Sequence, residues 1–413
     1  MRKFILPGSD HFQPLTPEER RGVVGVASLF GLRMMGLYMV LPVLSTYAGG
    51  LRGSTSLLVG LSVGVYGLTQ FLFQVPFGAM SDRWGRKPIL TAGLLLFALG
   101  SVVCALAHTA WMLVLGRTIQ GTGVVASTAL AMLADLTRDH LRSRAMVTVG
   151  IALGGTFSFG LLFGPAAAAR FGVPSLFWLT GVLATLAIPY LWFFVPAPLR
   201  VVHHEDVEFS HEHMAEVLRN PQLLRLDLGA LNLHMSLTAI FVVMPFLLRQ
   251  FLPLGHQWRV FLPLLTVGML SMLLGARLAE RPKGPQRAAL LGQGLLILGV
   301  MLLALTVPAS AREPGVGVTA LVAGLLLFIA GFALLEPLFP ALLTRSCQEN
   351  NRGTAAGVFN MSQFMGAFLG GLLAGKFLDR DVEAMFWILA GTGAVWFWLA
   401  LRLRNPVQKP SDA

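Results

Sequence analysis

Charge is what this sequence lacks. Only 12% of its 413 residues are Asp, Glu, Lys or Arg, against roughly 25% in soluble globular chains. A soluble chain of this length needs a large polar surface, and this composition cannot supply one. Cysteine is almost absent. Cys104 lies in an apolar block and Cys347 in a charged loop, and neither has a metal-ligand spacing or an evident partner, so both read as free thiols. There is no alternation of apolar and polar residues in segments of about ten, which argues against a membrane barrel. No nucleophile–base pair, nucleotide loop or metal quartet is visible, so an enzyme is not expected. Gly121-Thr122-Gly123 sits inside an apolar block and cannot cradle phosphate there. The first 21 residues are mixed and charged, with Pro7, Pro14 and Pro17, unlike a cleavable signal peptide.

What is abundant is long apolar sequence: 55% of residues are hydrophobic. The blocks run about 20 residues or more, enough to cross a roughly 30 Å hydrocarbon core. Gly (45) and Pro (23) are scattered through them, as membrane helices tolerate. The pattern predicts an all-α membrane protein with twelve spans, near 22–48, 57–80, 88–108, 110–135, 142–168, 174–195, 223–250, 257–279, 286–307, 315–344, 353–377 and 383–403. These divide the chain into a tail (1–21), a six-helix bundle (22–198), a linker (199–222), a second six-helix bundle (223–404) and a second tail (405–413).

An even number of spans puts both termini on one side. Of the Lys and Arg residues, 22 fall on that side and 7 on the other, with Arg33 and Arg117 inside spans. The bias predicts cytoplasmic termini. It also explains the net charge of +11 without nucleic acid, because the basic residues sit in short loops rather than on one amphipathic face. The linker holds His203, His204, Glu205, Asp206, Glu208, His211, Glu212 and His213. Two readings stand: a metal site, or a solvated linker with a short amphipathic helix on the membrane. The second is favoured, and no metal is expected.

The two halves echo each other. Leu133–Gly160 resembles Leu343–Gly370 at a constant offset of 210, and each segment is a charged turn followed by a glycine-rich span. Such repeats are how secondary transporters build two bundles around a midplane site.

Four motifs carry the mechanism. Gly78-Ala79-Met80-Ser81-Asp82-Arg83-Trp84-Gly85-Arg86-Lys87-Pro88 lies in the turn between spans two and three. Gly78 permits close helix contact, Gly85 allows a sharp turn, and Asp82 suits the amide end of a neighbouring helix. A degraded copy, with Glu280 in the acid position, spans Gly275–Gly284. Span four contains Arg117-Thr118-Ile119-Gln120-Gly121-Thr122-Gly123. An arginine inside hydrocarbon needs a partner, either a wet cavity or backbone carbonyls. Span five carries Gly155 and Gly160-x-x-x-Gly164-Pro165, with Ala168 and Ala169 following. Small residues four apart let helices pack closely, and a proline can bend them.

These motifs resemble those of the major facilitator superfamily, whose corresponding patterns are G-x-L-a-D-r-x-G-r-k, R-x-x-q-G-x-g and the antiporter motif G-x-x-x-G-P-x-x-G-G. The chain is most similar to the drug/proton antiporter branch, and span one, the span-four turn and the linker look most like the YajR-type efflux proteins. Members of that group can carry an extra soluble C-terminal domain, which is not expected here. The resemblance implies that Gly78, Asp82, Arg83, Gly85, Arg86 and Asp135 form a conformational latch, with Asp82 docking near the start of span eleven. It implies close packing through Gly155, Gly160, Gly164 and Pro165. It also implies that spans one, four, seven and ten line a central cavity.

One ionisable residue sits in each of those spans: Arg33, Arg117, His234 and Glu336. Arg33 and His234 are about 16 Å deep, and Glu336 about 13 Å, at 1.5 Å per residue. A carboxyl in a membrane span can take a proton from one side and release it to the other. Glu336, His234, Arg117 and Arg33 are therefore the candidates for proton coupling. Phe30, Met34, Tyr38, Asn232, Asn360 and Gln363 are the candidates for the substrate cavity. Asp227, near the end of span seven, is expected to be interfacial.

The expected function is a proton-coupled antiporter exporting drugs or other amphiphilic molecules by alternating access, working as a monomer in a bacterial inner membrane. It needs no cofactor beyond the proton gradient, and its partners are a small-molecule substrate, protons and lipid. The alternative is a symporter or uniporter for a specific metabolite or sugar. A non-transporting sensor is less favoured, because no effector domain is expected.

Overall fold

The computed structural model describes residues 15–138, 141–196, 211–281, 283–310, 314–347 and 351–403. Among them the chain is built of helices. In chain order these are α1 (Pro17–Gly49), α2 (Ser56–Trp84), α3 (Arg86–Ala105), α4 (Ala110–Thr122), α5 (Ala126–Asp135), α6 (Arg142–Phe171) and α7 (Val173–Phe193). A short α8 (His211–Arg219) precedes α9 (Pro221–Arg249), α10 (Trp258–Ala279), α11 (Gly284–Ser310), α12 (Pro314–Ser346), α13 (Arg352–Phe377) and α14 (Val382–Ala400). Eleven of these are long and apolar enough to cross a membrane. The chain is a multi-pass membrane protein.

Local chemistry sets the boundaries. Thr16 and Glu19 form a reciprocal capping box at the start of α1, which satisfies two amides that the helix leaves unbonded. Thr55, Thr109, Asn220 and Asp381 cap α2, α4, α9 and α14 with their side-chain oxygens. Gly85 (φ +89°) and Gly172 (φ +78°) turn the chain between α2 and α3 and between α6 and α7, in a region that side chains disfavour. The amphipathic helix expected in the linker is α8. His203–Glu208 of the metal reading lie outside the described residues.

Span four departs from expectation. Instead of one helix over 110–135, it is broken into α4 and α5 at Gly123-Val124-Val125. One glycine and two β-branched valines, with Gly121 just before them, make this the weakest helical stretch of the span. The break is also enforced by neighbours. A side chain at Gly123 would run into the backbone of Gly93 and Phe97 on α3, and one at Gly121 into Thr69 and Tyr66 on α2.

The helices group as α1–α7 and α9–α14, and the pairing repeats between the groups. Gly160 and Gly164 of α6 lie against the backbone of Tyr38 and Met39 on α1, while Gly366 and Gly370 of α13 lie against the backbone of Leu231 and Met235 on α9. The sequence repeat is thus a repeat of helix contacts. The groups meet chiefly along α2 and α13. There Gly60, Gly64 and Gly67 face Phe364, Phe368, Gly371 and Gly375 at backbone distance. These glycines lie in the halves of α2 and α13 remote from the chain termini. Gly49 near Phe246 and Gly255 near Ala169 add contacts at the same end. At the terminus end Gly78 has nothing within 4 Å of where a side chain would begin, and α5 packs on α1, α2, α3 and α6 of its own group. The space between the groups therefore opens toward the termini.

Filling the glycine seam should open its end. Gly371→Leu forces side-chain volume between two backbones, an overpacking cost of about 1–3 kcal/mol. Spin labels at Ser54 and Asp379, in loops at that end, should move apart relative to the wild type. An unchanged distance in a folded variant would show that the seam does not hold the end closed.

Candidate functional site

The inter-group space contains a carboxyl–imidazole pair. Glu336 on α12 and His234 on α9 approach with Nε2 to Oε2 at 3.8 Å. The His234 side chain is 19% exposed and that of Glu336 40%, although the Glu336 Oε2 atom itself is buried and makes no hydrogen bond. So one carboxyl oxygen faces the ring and the rest of the group faces open space. Nδ1 of His234 lies 3.1 Å from the Ala230 carbonyl oxygen. A carbonyl only accepts, so Nδ1 carries a hydrogen, and Nε2 is the ring nitrogen turned toward Glu336. Phe332, edge-on to the ring at 6.0 Å, walls one side.

Across the space, Tyr38 of α1 lies within electrostatic reach of Glu336, Arg33 and Tyr66. Its ring meets Phe157 of α6 edge to face at 5.0 Å. Met34, one turn back, is half-buried on the same side of α1. Asn360 and Gln363 are half-buried. They fall on the strip of α13 between its α2-packing positions (Phe364, Phe368, Gly371) and its α9-packing glycines (Gly366, Gly370). Two expected lining residues are elsewhere. Phe30 is 2% exposed and belongs to the core of the first group. Asn232 is buried, and at two positions from His234 it lies on nearly the opposite face of α9. Asp227 is buried within the protein, and neither carboxylate oxygen is hydrogen-bonded among the described residues.

The two intramembrane arginines are wall rather than lining. Arg33 is 1% exposed and Arg117 3%. Arg33 Nη2 donates to the Tyr66 hydroxyl (2.9 Å) and to the Gly123 carbonyl (3.1 Å), and its guanidinium stacks over Phe97 at 4.9 Å. Arg117 Nε donates to the Ser62 carbonyl (3.1 Å) and Nη1 to Gln120 Oε1 (2.8 Å). Gln120 in turn donates to Ser101. Of the two partners weighed for Arg117, backbone carbonyls are the ones present. Neither arginine pairs with Glu336. The break in span four explains Arg33, because a broken helix frees carbonyls that hydrocarbon cannot satisfy. Arg33 takes that of Gly123, and Gln70 Nε2 takes that of Gly121 at 2.8 Å. Tyr66, Gln70 and Phe97 were missed from the sequence. A glutamine inside span two was the available signal, since polar residues in spans need partners.

The loop motif at the terminus end is assembled but undocked. Arg86, buried, pairs with Asp135 (2.9 Å) and with Asp82, and Nη1 donates to Ser81 Oγ (2.7 Å). Arg83 is exposed. Among the described residues Asp82 does not reach the start of α13. Its side chain is 37% exposed and turned back on Arg86. Gly85 turns the chain as expected, but Gly78 packs on nothing. In the second-half copy, Glu280 is exposed. In the span-five motif Gly160 and Gly164 make the expected close contacts and Pro165 lies within α6. Gly155 does not take part: it is exposed, with nothing within 4 Å.

Two glycine-paired helical groups around a cleft that holds a carboxyl–imidazole pair are the architecture of a membrane carrier, not of an enzyme. The Major Facilitator Superfamily model matches residues 26–371 and 315–413, and the chain belongs to that family of membrane transporters. It is 36% identical to the inner membrane transport protein YajR of Escherichia coli K12, over 95% of this chain and 85% of that protein. It is 26% identical to the class G tetracycline resistance protein of Vibrio anguillarum, over 90% of this chain and 92% of that protein. The fold is shared with the crystal structure of the nucleoside transporter NupG (D323A mutant), at a TM-score of 0.74 and 14% identity, over 93% of this chain and all of that one.

If Arg33 holds the broken span, Arg33→Lys cannot replace it. An ammonium lacks the planar fork that stacks on Phe97 while donating to Tyr66 and Gly123. Both Arg33→Lys and Gln70→Leu leave a buried carbonyl unpaired, at about 1–3 kcal/mol each. Thermal unfolding midpoints in detergent should fall for both. A wild-type midpoint in Gln70→Leu would show that the freed carbonyl of Gly121 finds another donor.

Proposed function

We propose that this protein is a proton-coupled antiporter that exports amphiphilic small molecules from the bacterial cytoplasm by alternating access. The observation that carries the reading is the His234–Glu336 pair, facing the cleft from two helices of one group. The pair holds one proton in either of two forms. A protonated Glu336 beside a neutral ring is one, and a carboxylate beside an imidazolium is the other. Deprotonation leaves a lone negative charge on Glu336 in a cleft walled by Phe332, Tyr38 and Phe157. A cationic or amphiphilic substrate then neutralises that charge, and a proton arriving from the other side displaces it.

The charge bias of 22 to 7 supports cytoplasmic termini. With that orientation the cleft opens inward, and the α2–α13 seam is the closed outer gate. Asp82 turned back on Arg86 fits an inward-open state, and its docking on α13 would mark the outward-open one. Met34 and the aromatic wall supply adaptable apolar contact for varied molecules. Each proton entering down a 100 mV potential supplies about 2.3 kcal/mol. Similarity to a tetracycline resistance protein supports efflux. The fold shared with a nucleoside transporter keeps a uniporter or symporter of a specific metabolite as the second reading.

The test is substrate-induced proton movement in inverted membrane vesicles, followed with a pH-gradient dye. Cationic, neutral and anionic compounds are added to wild type, Glu336→Gln and His234→Asn. Some compounds should release protons in wild type. Glu336→Gln should abolish the release, and His234→Asn should shift its pH dependence. A flat response with inserted, folded protein would remove antiport of those compounds. Transport that survives Glu336→Gln without proton movement would establish a uniporter.

Asp135→Asn weakens the hold on Arg86 that accompanies the undocked latch. It should raise the share of protein with the terminus end closed, read as a shorter spin-label distance between Arg83 and Arg352. An unchanged distance would remove Asp135 from the switch.

A further inference from the structure

A second recess lies at the terminus end, on the outside of the α9 group. Its volume is about 940 Å³, and Glu216, Arg219, Asn220, Gln222, Arg225 and Arg402 line it. It is distinct from the cleft: Arg225 is nine positions from His234, which places the two on opposite faces of α9. Three guanidinium groups meet one carboxylate there. That carboxylate is already engaged, because Glu216 Oε2 accepts from Asn351 Nδ2 at 2.8 Å. Arg219 is exposed and makes no hydrogen bond or ion pair among the described residues. Among the described residues Arg225 Nη1 donates only to the Arg402 carbonyl (3.2 Å), and the Arg402 guanidinium lies over the Trp398 ring at 4.5 Å. Among the described residues the floor is therefore cationic and short of anionic partners.

Apolar side chains adjoin these residues along the helices. Leu218, Leu224, Leu228, Trp398 and Leu401 are each more than 40% exposed. Leu218, Leu224 and Leu401 are sequence neighbours of Arg219, Arg225 and Arg402, Leu228 is one turn from Arg225, and Trp398 is one turn from Arg402. A cationic floor adjoined by apolar side chains matches an amphiphile whose phosphate sits at the surface and whose chains run along the helices. A soluble anion would use the floor alone.

We propose that this recess binds the phosphate headgroup of an anionic phospholipid from the leaflet on the terminus side. Arg219, Arg225 and Arg402 surround the phosphate, and the acyl chains lie along Leu224, Leu228 and Trp398. Basic pockets between membrane helices are a recurrent mode of headgroup recognition. The hydrogen bond from Asn351 to Glu216 carries the site to the first residue before α13, so bound lipid pins α8 against the helix that forms the seam with α2. The proposal does not depend on proton coupling or on the transported substrate.

The experiment uses the full-length protein in detergent. Retained lipid is counted by native mass spectrometry after titration with phosphatidylglycerol or phosphatidylcholine. Wild type should retain phosphatidylglycerol several-fold better. Arg219→Gln should lower that retention by roughly fivefold, the worth of one interfacial arginine, and Arg219→Gln with Arg402→Gln should abolish the preference. Arg170→Gln, at the opposite end, serves as the control and should change nothing. Arg219 bonds to no described residue, so its variant keeps the fold, which circular dichroism checks. Equal retention of the two lipids, or retention unchanged in both arginine variants, would overturn the site. Displacement of phosphatidylglycerol by millimolar inorganic phosphate would make it a soluble-anion site and overturn the lipid assignment.

Discussion

Two helices can approach to backbone distance only where neither carries a side chain, and the α2–α13 seam is built on that constraint. Within hydrocarbon there is no hydrophobic drive between helices, because lipid tails are as apolar as leucine. What holds the two groups together is close van der Waals contact along Gly60, Gly64, Gly67, Gly371 and Gly375. The same device joins α1 to α6 and α9 to α13 within the groups. A seam of this kind grips over a short length and allows rocking about it. The cleft is open at one end because the glycine contacts are confined to the other.

The second constraint is that no backbone group can be left dry and unpaired. It accounts for the break in span four and the residues around it. The break lets α3 and α2 approach at Gly123 and Gly121, at the cost of two carbonyls, and Arg33 and Gln70 answer those carbonyls directly. The first group is thereby cross-linked through its centre: α1 to α4 by Arg33, α2 to α4 by Gln70, and α4 to α3 by Gln120 and Ser101. Among the described residues the second group shows no matching set of arginine and glutamine bonds to a broken span. There α12 runs unbroken through its prolines, and its one carboxyl faces the cleft. The two halves share contacts but not chemistry.

The fold was legible in the sequence because the signals behind it are long. Apolar blocks of span length, a biased distribution of basic residues and a 210-residue repeat each average over many positions. The site was legible in part. Glu336 and His234 stood out because ionisable residues in spans are rare, and their neighbouring spans then brought them together. The roles of Arg33 and Arg117 were not readable, because depth in the membrane says nothing about which way a side chain points. Phe30 and Asn232 failed for the same reason: a helix has a wet face and a packed face, and one sequence shows only that both exist. Gly155 and Gly78 show the converse. A glycine in a packing motif marks room for contact in some state, and here that room is empty.

The anchoring of Arg33 and Arg117 bears on how the protein responds to voltage. A charge feels the transmembrane potential only through its displacement along the field, at about 2.3 kcal/mol per charge per 100 mV for a full crossing. Both guanidinium groups are tied to the backbone of their own helical group, so they move only with that group. They add little gating charge. In a carrier of this kind the electrical work of a turnover cycle then falls mainly on whatever crosses in the cleft. Reversing the membrane potential would act on the cargo and scarcely on the carrier.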